Sequence, residues 1–395
     1  MQRITTHPRV RRAVAFFDQT DAAAIRELIA LTQIPAPPFK EAERAKRFAE
    51  MMRAAGADSV AIDEIGNVIA VRRGVRRTRR IGVAGHMDTV FPEGTDVRVR
   101  QRGDTLFAPG IGDNTRGLIA MLQAMRALVH AGIRADADIV FIGTVGEEGI
   151  GDLRGMKHIF RAGAPRMDAL IAVDASSDEA ITNGAIGSKR YRVTFNGPGG
   201  HSWSAFGAAN PIHALSRAIR KFDDAAGRFT ATAAATTYSV GRIGGGTSVN
   251  AIPAQAWAEV DLRSESPLRL ASLDSIFHTS MVDALNEQNA VRTTGPELTL
   301  EARLIGDRPS GSTPANAPLV LRAMAATRAL GLVPRLDESS TDANVPISRG
   351  IPAITIGRGG EEDRAHSTDE WWINTHGTRG LRRLLYVVLA EAGFR

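Results

Sequence analysis

Three short apolar runs each stop at a residue that can bind a cation. Residues 80–84 lead into Gly85-His86-Met87-Asp88-Thr89, Asp138–Thr144 leads into Gly146-Glu147-Glu148-Gly149, and residues 170–173 end at Asp174. Runs this short and this apolar predict strands buried on both faces, as in a parallel sheet. A helical stripe of Leu118, Met121, Leu122, Met125, Leu128 and Val129 follows Gly117. Such strand–helix alternation predicts an α/β core. Ligands of these sheets bind in the crevice beyond the carboxyl ends of the strands, so His86, Glu147, Glu148 and Asp174 are expected to converge there. Asp113, in Gly112-Asp113-Asn114-Thr115-Arg116-Gly117, precedes a helix, where a carboxylate also meets the positive end of the dipole.

Singly, each residue has a plain reading. His86 is a surface or hydrogen-bonding histidine, Asp113 a helix cap, and Glu147-Glu148 a solvated face. Together at strand exits they point to a cation, because adjacent buried carboxylates repel unless a cation or proton intervenes. Cysteine is absent. This removes disulfides, thiolate catalysis and cysteine-based zinc sites, leaving His, Asp and Glu to hold any metal.

The chain has 395 residues, which favours two domains. No run of about 18 apolar residues marks a membrane span. The opening Met1-Gln2-Arg3-Ile4-Thr5-Thr6-His7-Pro8 lacks the apolar centre of a secretory signal, so a cytoplasmic location is expected. The net charge of +6 owes much to Arg72, Arg73, Arg76, Arg77, Arg79 and Arg80. A Gly splits this run and strand-like segments flank it, so it reads as a solvated hairpin tip and not as a nucleic-acid site.

Residues 22–31 read as a helix capped by Thr20 or Asp21 and ended by Pro35, Pro37 and Pro38. A second helix is expected over about 41–54, then strands at Ser59–Ile62 and Val68–Arg72. The texture changes near Lys189. A strand, a Gly-Pro-Gly-Gly-His turn, a helix with Ile212, Leu215 and Ile219, and alternating strands at 236–243 and 256–262 read as a small α+β unit at 189–306. It is inserted into a domain made of 1–188 and 307–395. Ile354-Thr355-Ile356 is expected to be a late core strand of the larger domain.

Five segments in order, Gly85-His86-Met87-Asp88-Thr89-Val90, Gly112-Asp113-Asn114-Thr115-Arg116-Gly117, Gly146-Glu147-Glu148-Gly149, Gly199-Gly200-His201-Ser202 and His366-Ser367-Thr368-Asp369-Glu370, resemble the M20 metallopeptidases. The likeness runs from about Gln33 to the C-terminus. That family includes glutamate carboxypeptidases, dipeptidases, tripeptidases, aminoacylases and desuccinylases. The resemblance implies a two-domain α/β hydrolase, with a mostly parallel-sheet di-metal domain and an inserted α+β lid that also dimerises. By the same resemblance His86 and Asp174 bind one metal, Glu148 and His366 the other, and Asp113 bridges them. Asp88 fixes the far nitrogen of the His86 ring, and Glu147 is the general base. His201 stabilises the oxyanion in the partner subunit's site, and Asn250 and Arg263 hold a substrate carboxylate. The metals implied are zinc, or cobalt or manganese.

The implied reaction is hydrolysis of a peptide or N-acyl amide bond in a small substrate with a free carboxylate. Two other readings stay open. One is an amidohydrolase of carbamoyl or ureido compounds; the other is a catalytically silent dimeric binding protein. Arg263 also has a plain reading, an ion pair with Asp261 or Glu265. Asp342 and Asn344 match a family segment near the site without being ligands. His158, His213, His278 and His376 carry no motif. Trp203 and Phe206 beside His201, and the acidic Glu361-Glu362-Asp363 before His366, depart from the common pattern and bear on substrate choice.

Overall fold

The structure is a computed structural model that describes residues 1–232 and 235–394. Its contacts divide the chain after Ala185 and after Gly311 into two compact units. The sequence reading drew these borders at 188 and 306.

The first unit holds a large mixed sheet. Four neighbouring strands at its centre, in the order Asp138–Thr144, Arg80–His86, Ala169–Ala175 and Ala353–Gly357, are mutually parallel. Antiparallel strands flank them, Val68–Arg72 on one side and Ala180–Ala185 on the other. Side chains alternate between the two faces. Ile81, Val83, Ile139, Phe141, Ala169 and Ile171 enter one apolar cluster, while Ala84, Val140, Ile142, Leu170 and Ala172 enter another. Both faces are therefore covered, and this is why the runs are apolar throughout instead of alternating.

The first cluster is closed by Pro8–Thr32, Ala42–Ala54, Gly117–His130 and Gly377–Ala392. The helix expected at 22–31 in fact begins at Pro8, with the His7 ring accepting the Arg9 N–H at its start. Thr20 and Asp21 are interior positions and cap nothing. The Thr20 hydroxyl donates to the Phe16 carbonyl, and Asp21 accepts from Asn374. Val10, Ala13 and Phe17 carry the buried stripe through the arginine-rich first turns.

The arginine run is not a hairpin tip. Val68–Arg72 and Arg80–His86 lie on opposite sides of the Asp138–Thr144 strand, so the run crosses over that strand's start. It is pinned there by ion pairs of Arg76 with Asp136, Arg77 with Asp138 and Arg79 with Glu391. Strands adjacent in sequence usually pair; here a third strand, 138–144, takes the place between them.

The second unit is an antiparallel sheet in the order Thr236–Gly245, Gln255–Ser264, Gly187–Asn196, Thr299–Arg308. Helices Pro211–Thr230 and Pro267–Ala290 cover one face. Each opens with Pro after a side-chain cap, Asn210 or Ser266. Ala256, Ala258, Val260 and Leu262 alternate inward against Leu215, Phe222, Leu273 and Phe277. Among the described residues no helix is long and apolar enough to cross a membrane.

One fully buried cation ties the first unit together below the sheet's carboxyl end. Arg44 donates to the carbonyls of Thr32, Ile34 and Met87 at 2.6–3.1 Å, which fixes helix Ala42–Ala54 to the residue after His86. Arg44→Met leaves those carbonyls unsatisfied. The expected loss is about 2–4 kcal/mol of unfolding free energy, read from urea denaturation; a loss below about 0.5 kcal/mol would show that the carbonyls find other donors.

Candidate metal centre

The four parallel neighbours deliver site residues at their carboxyl ends. In sheet order these are the Glu147-Glu148 pair, His86, Asp174 and Arg358. Adjacent strands lie about 4.8 Å apart, so side chains leaving these ends meet without further help. Asp113 enters from Ile111–Arg116, a turn that leaves helical geometry at Asp113 and Asn114 before helix Gly117–His130 begins. His366 comes from a loop near the other end of the chain.

The donors form groups around Asp113. His86 Nε2 is 3.1 Å from Asp113 Oδ1 and 3.5 Å from Asp174 Oδ1. His366 Nε2 is 3.2 Å from Asp113 Oδ2 and 2.9 Å from Glu148 Oε1. In both sets, His86–Asp113–Asp174 and Asp113–Glu148–His366, the ligand atoms lie within 4.8 Å of one another. Glu147 forms a further such group with His86 and Glu148. Nitrogen and oxygen donors at this spacing, without sulfur, fit a pair of divalent cations that share one carboxylate.

The electrostatics agree. Burial works against charge on His86, yet the Asp174 and Asp113 carboxylates hold its imidazole well above the ordinary range. Hydrogen bonds to Asp113 and Glu148 push His366 up to about 10. Asp113, although buried, is held well below the usual carboxylate range by Arg358 and the two histidines. The lone pairs that face protons in these pairs are the ones a metal ion would take.

Asp88 is in place but bonds differently from expectation. The His86 Nδ1 faces the Asp88 backbone carbonyl at 3.0 Å, while the carboxylate is 3.7 Å away. That carboxylate accepts the N–H of Glu147 at 3.0 Å and of Glu148 at 2.8 Å. It therefore anchors the glutamate turn, and its carbonyl orients the imidazole.

Sequence reasoning missed Arg358. Its Nη1 donates to Asp174 at 2.8 Å, Asn114 at 3.2 Å and Asp113 at 3.3 Å, and its Nε and Nη2 donate to Glu362. The guanidinium is buried, and each of its three nitrogens donates. The signal was available: Arg358 follows the late core strand, under the same strand-end rule that found His86. Glu370, inside a quoted motif but given no role, accepts three backbone N–H groups from the Asp113 turn.

His201, Asn250 and Arg263 belong to the second unit. Gly200–His201 pairs with Ala251–Ile252, which puts His201 near Asn250 on an open cavity of about 720 Å³. The exposed His201 ring accepts the Trp203 N–H, and Asn250 accepts from Ser248. Arg263 stands apart from that cavity, its Nε donating to Asp261 at 2.7 Å. Trp203 and Phe206 are 86% and 85% exposed. Of the histidines without motif, His158 pairs with Glu64 at 2.9 Å.

A profile of peptidase family M20/M25/M40 matches residues 82–389. A putative succinyl-diaminopimelate desuccinylase DapE of Mycobacterium tuberculosis is 27% identical over 346 residues, 86% of this chain and 91% of that protein. A putative [LysW]-lysine/[LysW]-ornithine hydrolase of Thermococcus kodakarensis is 34% identical over 158 residues, 40% of this chain. The match spans only 41% of that relative's length. The crystal structure of aminopeptidase PepT from Bacillus cereus superposes with a TM-score of 0.74 at 22% identity, covering 93% of this chain and 98% of that one.

Asp342 supplies a pH test of the centre. Thr144 Oγ1 donates to it at 2.5 Å, and burial pushes its carboxyl up to about 7. The folded chain keeps this proton after the unfolded chain has released its own near pH ~4. Stability conferred by the protonated form is therefore lost as pH rises from ~4 towards about 7. Asp342→Asn does not titrate. In chelator-treated protein, its unfolding free energy should gain on wild type across that window and level off above it; a difference that stays constant with pH would place the carboxyl in the ordinary range.

Proposed function

Because the chain belongs to peptidase family M20/M25/M40, we propose that it is a di-metal hydrolase of a peptide or N-acyl amide bond in a small substrate with a free carboxylate. The observation that carries this reading is Asp113, whose two oxygens each face a different imidazole. In this reading His86 and Asp174 hold one ion, Glu148 and His366 the other, and Asp113 both. The donor set suits zinc. Two such ions would supply Lewis acidity, lowering the pKa of a water and polarising a carbonyl.

The chain's own groups do the rest. Glu147 takes a proton from the attacking water and returns it to the leaving nitrogen, so that amide and water become a carboxylic acid and an amine, and the acid then passes its proton to the amine. Asp88 keeps Glu147 within reach through the backbone N–H it accepts and orients His86 through its carbonyl. A cavity of about 330 Å³, lined by Asp174, Arg358, Glu362 and Glu370 among others, leaves room for a small substrate.

In the second unit His201 is assigned to the oxyanion, with Asn250 and Arg263 on the substrate carboxylate. Arg263 must then exchange its Asp261 partner for the substrate, which its half-exposed position allows. This unit is the proposed lid and homodimer interface, and its exposed edge strand Thr236–Gly245 suits pairing with a second copy. The relatives, a putative succinyl-diaminopimelate desuccinylase and a putative [LysW]-lysine/[LysW]-ornithine hydrolase, support an acyl or peptidyl amide.

The expected metal content is two ions per chain, read by elemental analysis. Glu147→Ala should keep both ions and lose roughly 10²- to 10⁴-fold in kcat, and retained turnover would remove Glu147 from the base role. A panel of dipeptides, tripeptides, N-acyl amino acids and ureido acids identifies the substrate. Cleavage of ureido acids alone would overturn the peptide and N-acyl assignment.

A further inference from the structure

The Asp113 turn is short of partners of its own. Gly110 adopts φ +75°, and no side chain caps the segment that follows. Ile111 and Thr115 bond to carbonyls within the same loop. The remaining N–H groups of Gly110, Gly112 and Asp113 converge on one carboxylate. Glu370 Oε2 accepts from Gly110 at 2.7 Å, and Oε1 accepts from Gly112 at 2.8 Å and Asp113 at 2.9 Å. The residue is only 1% exposed. Successive N–H groups curled around an anion form a concave nest, and here the anion is a side chain of the protein.

Glu370 is itself held rigidly. Its carbonyl accepts the Ala108 N–H, its own N–H donates to the Ser367 carbonyl, and the next residue, Trp371, pairs with Phe107 in an antiparallel ladder. His366 lies four residues earlier on the same loop. The position of Asp113 is thereby set relative to the segment that carries His366. The glycine at 112 makes the approach possible, since a Cβ there would lie 3.2 Å from Glu370 Oε1 and 2.5 Å from Glu362 Oε2. The construction repeats that of Asp88, which accepts the N–H groups of Glu147 and Glu148.

We propose that Glu370 is a positioning residue for the metal pair: its carboxylate, seated on three backbone N–H groups, fixes the bridging Asp113 against His366. The proposal rests on the di-metal reading above. Glu370 spends both carboxylate oxygens on backbone N–H groups, so removing it misplaces a ligand without deleting one. Glutamine at 370 keeps the size but offers one acceptor oxygen, and turns an N–H donor toward a nest of donors.

The test is a metal titration of the full-length, chelator-stripped chain, with zinc competed against a chromophoric chelator. Wild type should take up two ions. Glu370→Gln, checked for fold by far-UV circular dichroism, should bind zinc roughly 10- to 100-fold more weakly. It should also show faster amide hydrogen exchange over residues 108–116. Gly112→Ala, which leaves Glu370 in place but forces the turn away, should weaken binding in the same direction and serves as the readout if Glu370→Gln does not fold. Wild-type zinc affinity in the folded variants overturns the role of Glu370 and leaves the di-metal reading standing. Wild type that takes up no metal overturns both.

Discussion

The Asp113 carboxylate meets His86 through one oxygen and His366 through the other, and the neighbouring groups are arranged to keep it there. Burying this many carboxylates together is costly unless each has a cation or several N–H donors. The chain supplies both kinds of partner. Arg358 reaches Asp113 and Asp174 directly. Asp88 and Glu370, which have no such cation within hydrogen-bond reach in the bonds described, are satisfied by backbone N–H groups. The charged groups of the candidate metal centre and those that hold its loops are thus separate residues. A substitution in the second group is expected to alter geometry before it alters composition.

The core of the first unit was legible because burial on both faces leaves no room for alternation. Asp138–Thr144 is one of three uninterrupted apolar runs, and its limits follow from sequence alone. The long first helix was harder. Val10, Ala13 and Phe17 are spaced correctly, but Arg9, Arg11 and Arg12 among them hide the stripe. The crossover of the arginine run was not legible, because nothing in residues 71–80 records that 138–144 will lie between its flanking strands. Thr299–Arg308 went unread for a different reason: it is an edge strand with mostly exposed side chains and carries little apolar signal.

At the site, the candidate ligands were legible because each must be a particular residue type at a strand end or turn. Their supports were not. Glu370 acts on N–H groups up to 260 residues away, and any backbone can offer an N–H, so no pattern marks the target. The same holds for Asp88, where the side chain was expected to do the work that its carbonyl does. Arg358 was within reach, since it obeys the strand-end rule. A guanidinium carries only hydrogen-bond donors and is no metal ligand, so a pattern of metal ligands does not include it.

The first unit is assembled from both ends of the chain, with the second unit translated between them. His86, Asp113, Glu148 and Asp174 leave the ribosome well before Arg358, His366 and Glu370. A nascent chain therefore carries a cluster of carboxylates with neither its arginine counter-charge nor its second imidazole. The centre cannot be complete before residues 358–370 are translated, and a product cut short before residue 358 has a half-built, self-repelling centre. The growing chain must wait for Ala353–Gly357 before the sheet can close between Ala169–Ala175 and Ala180–Ala185.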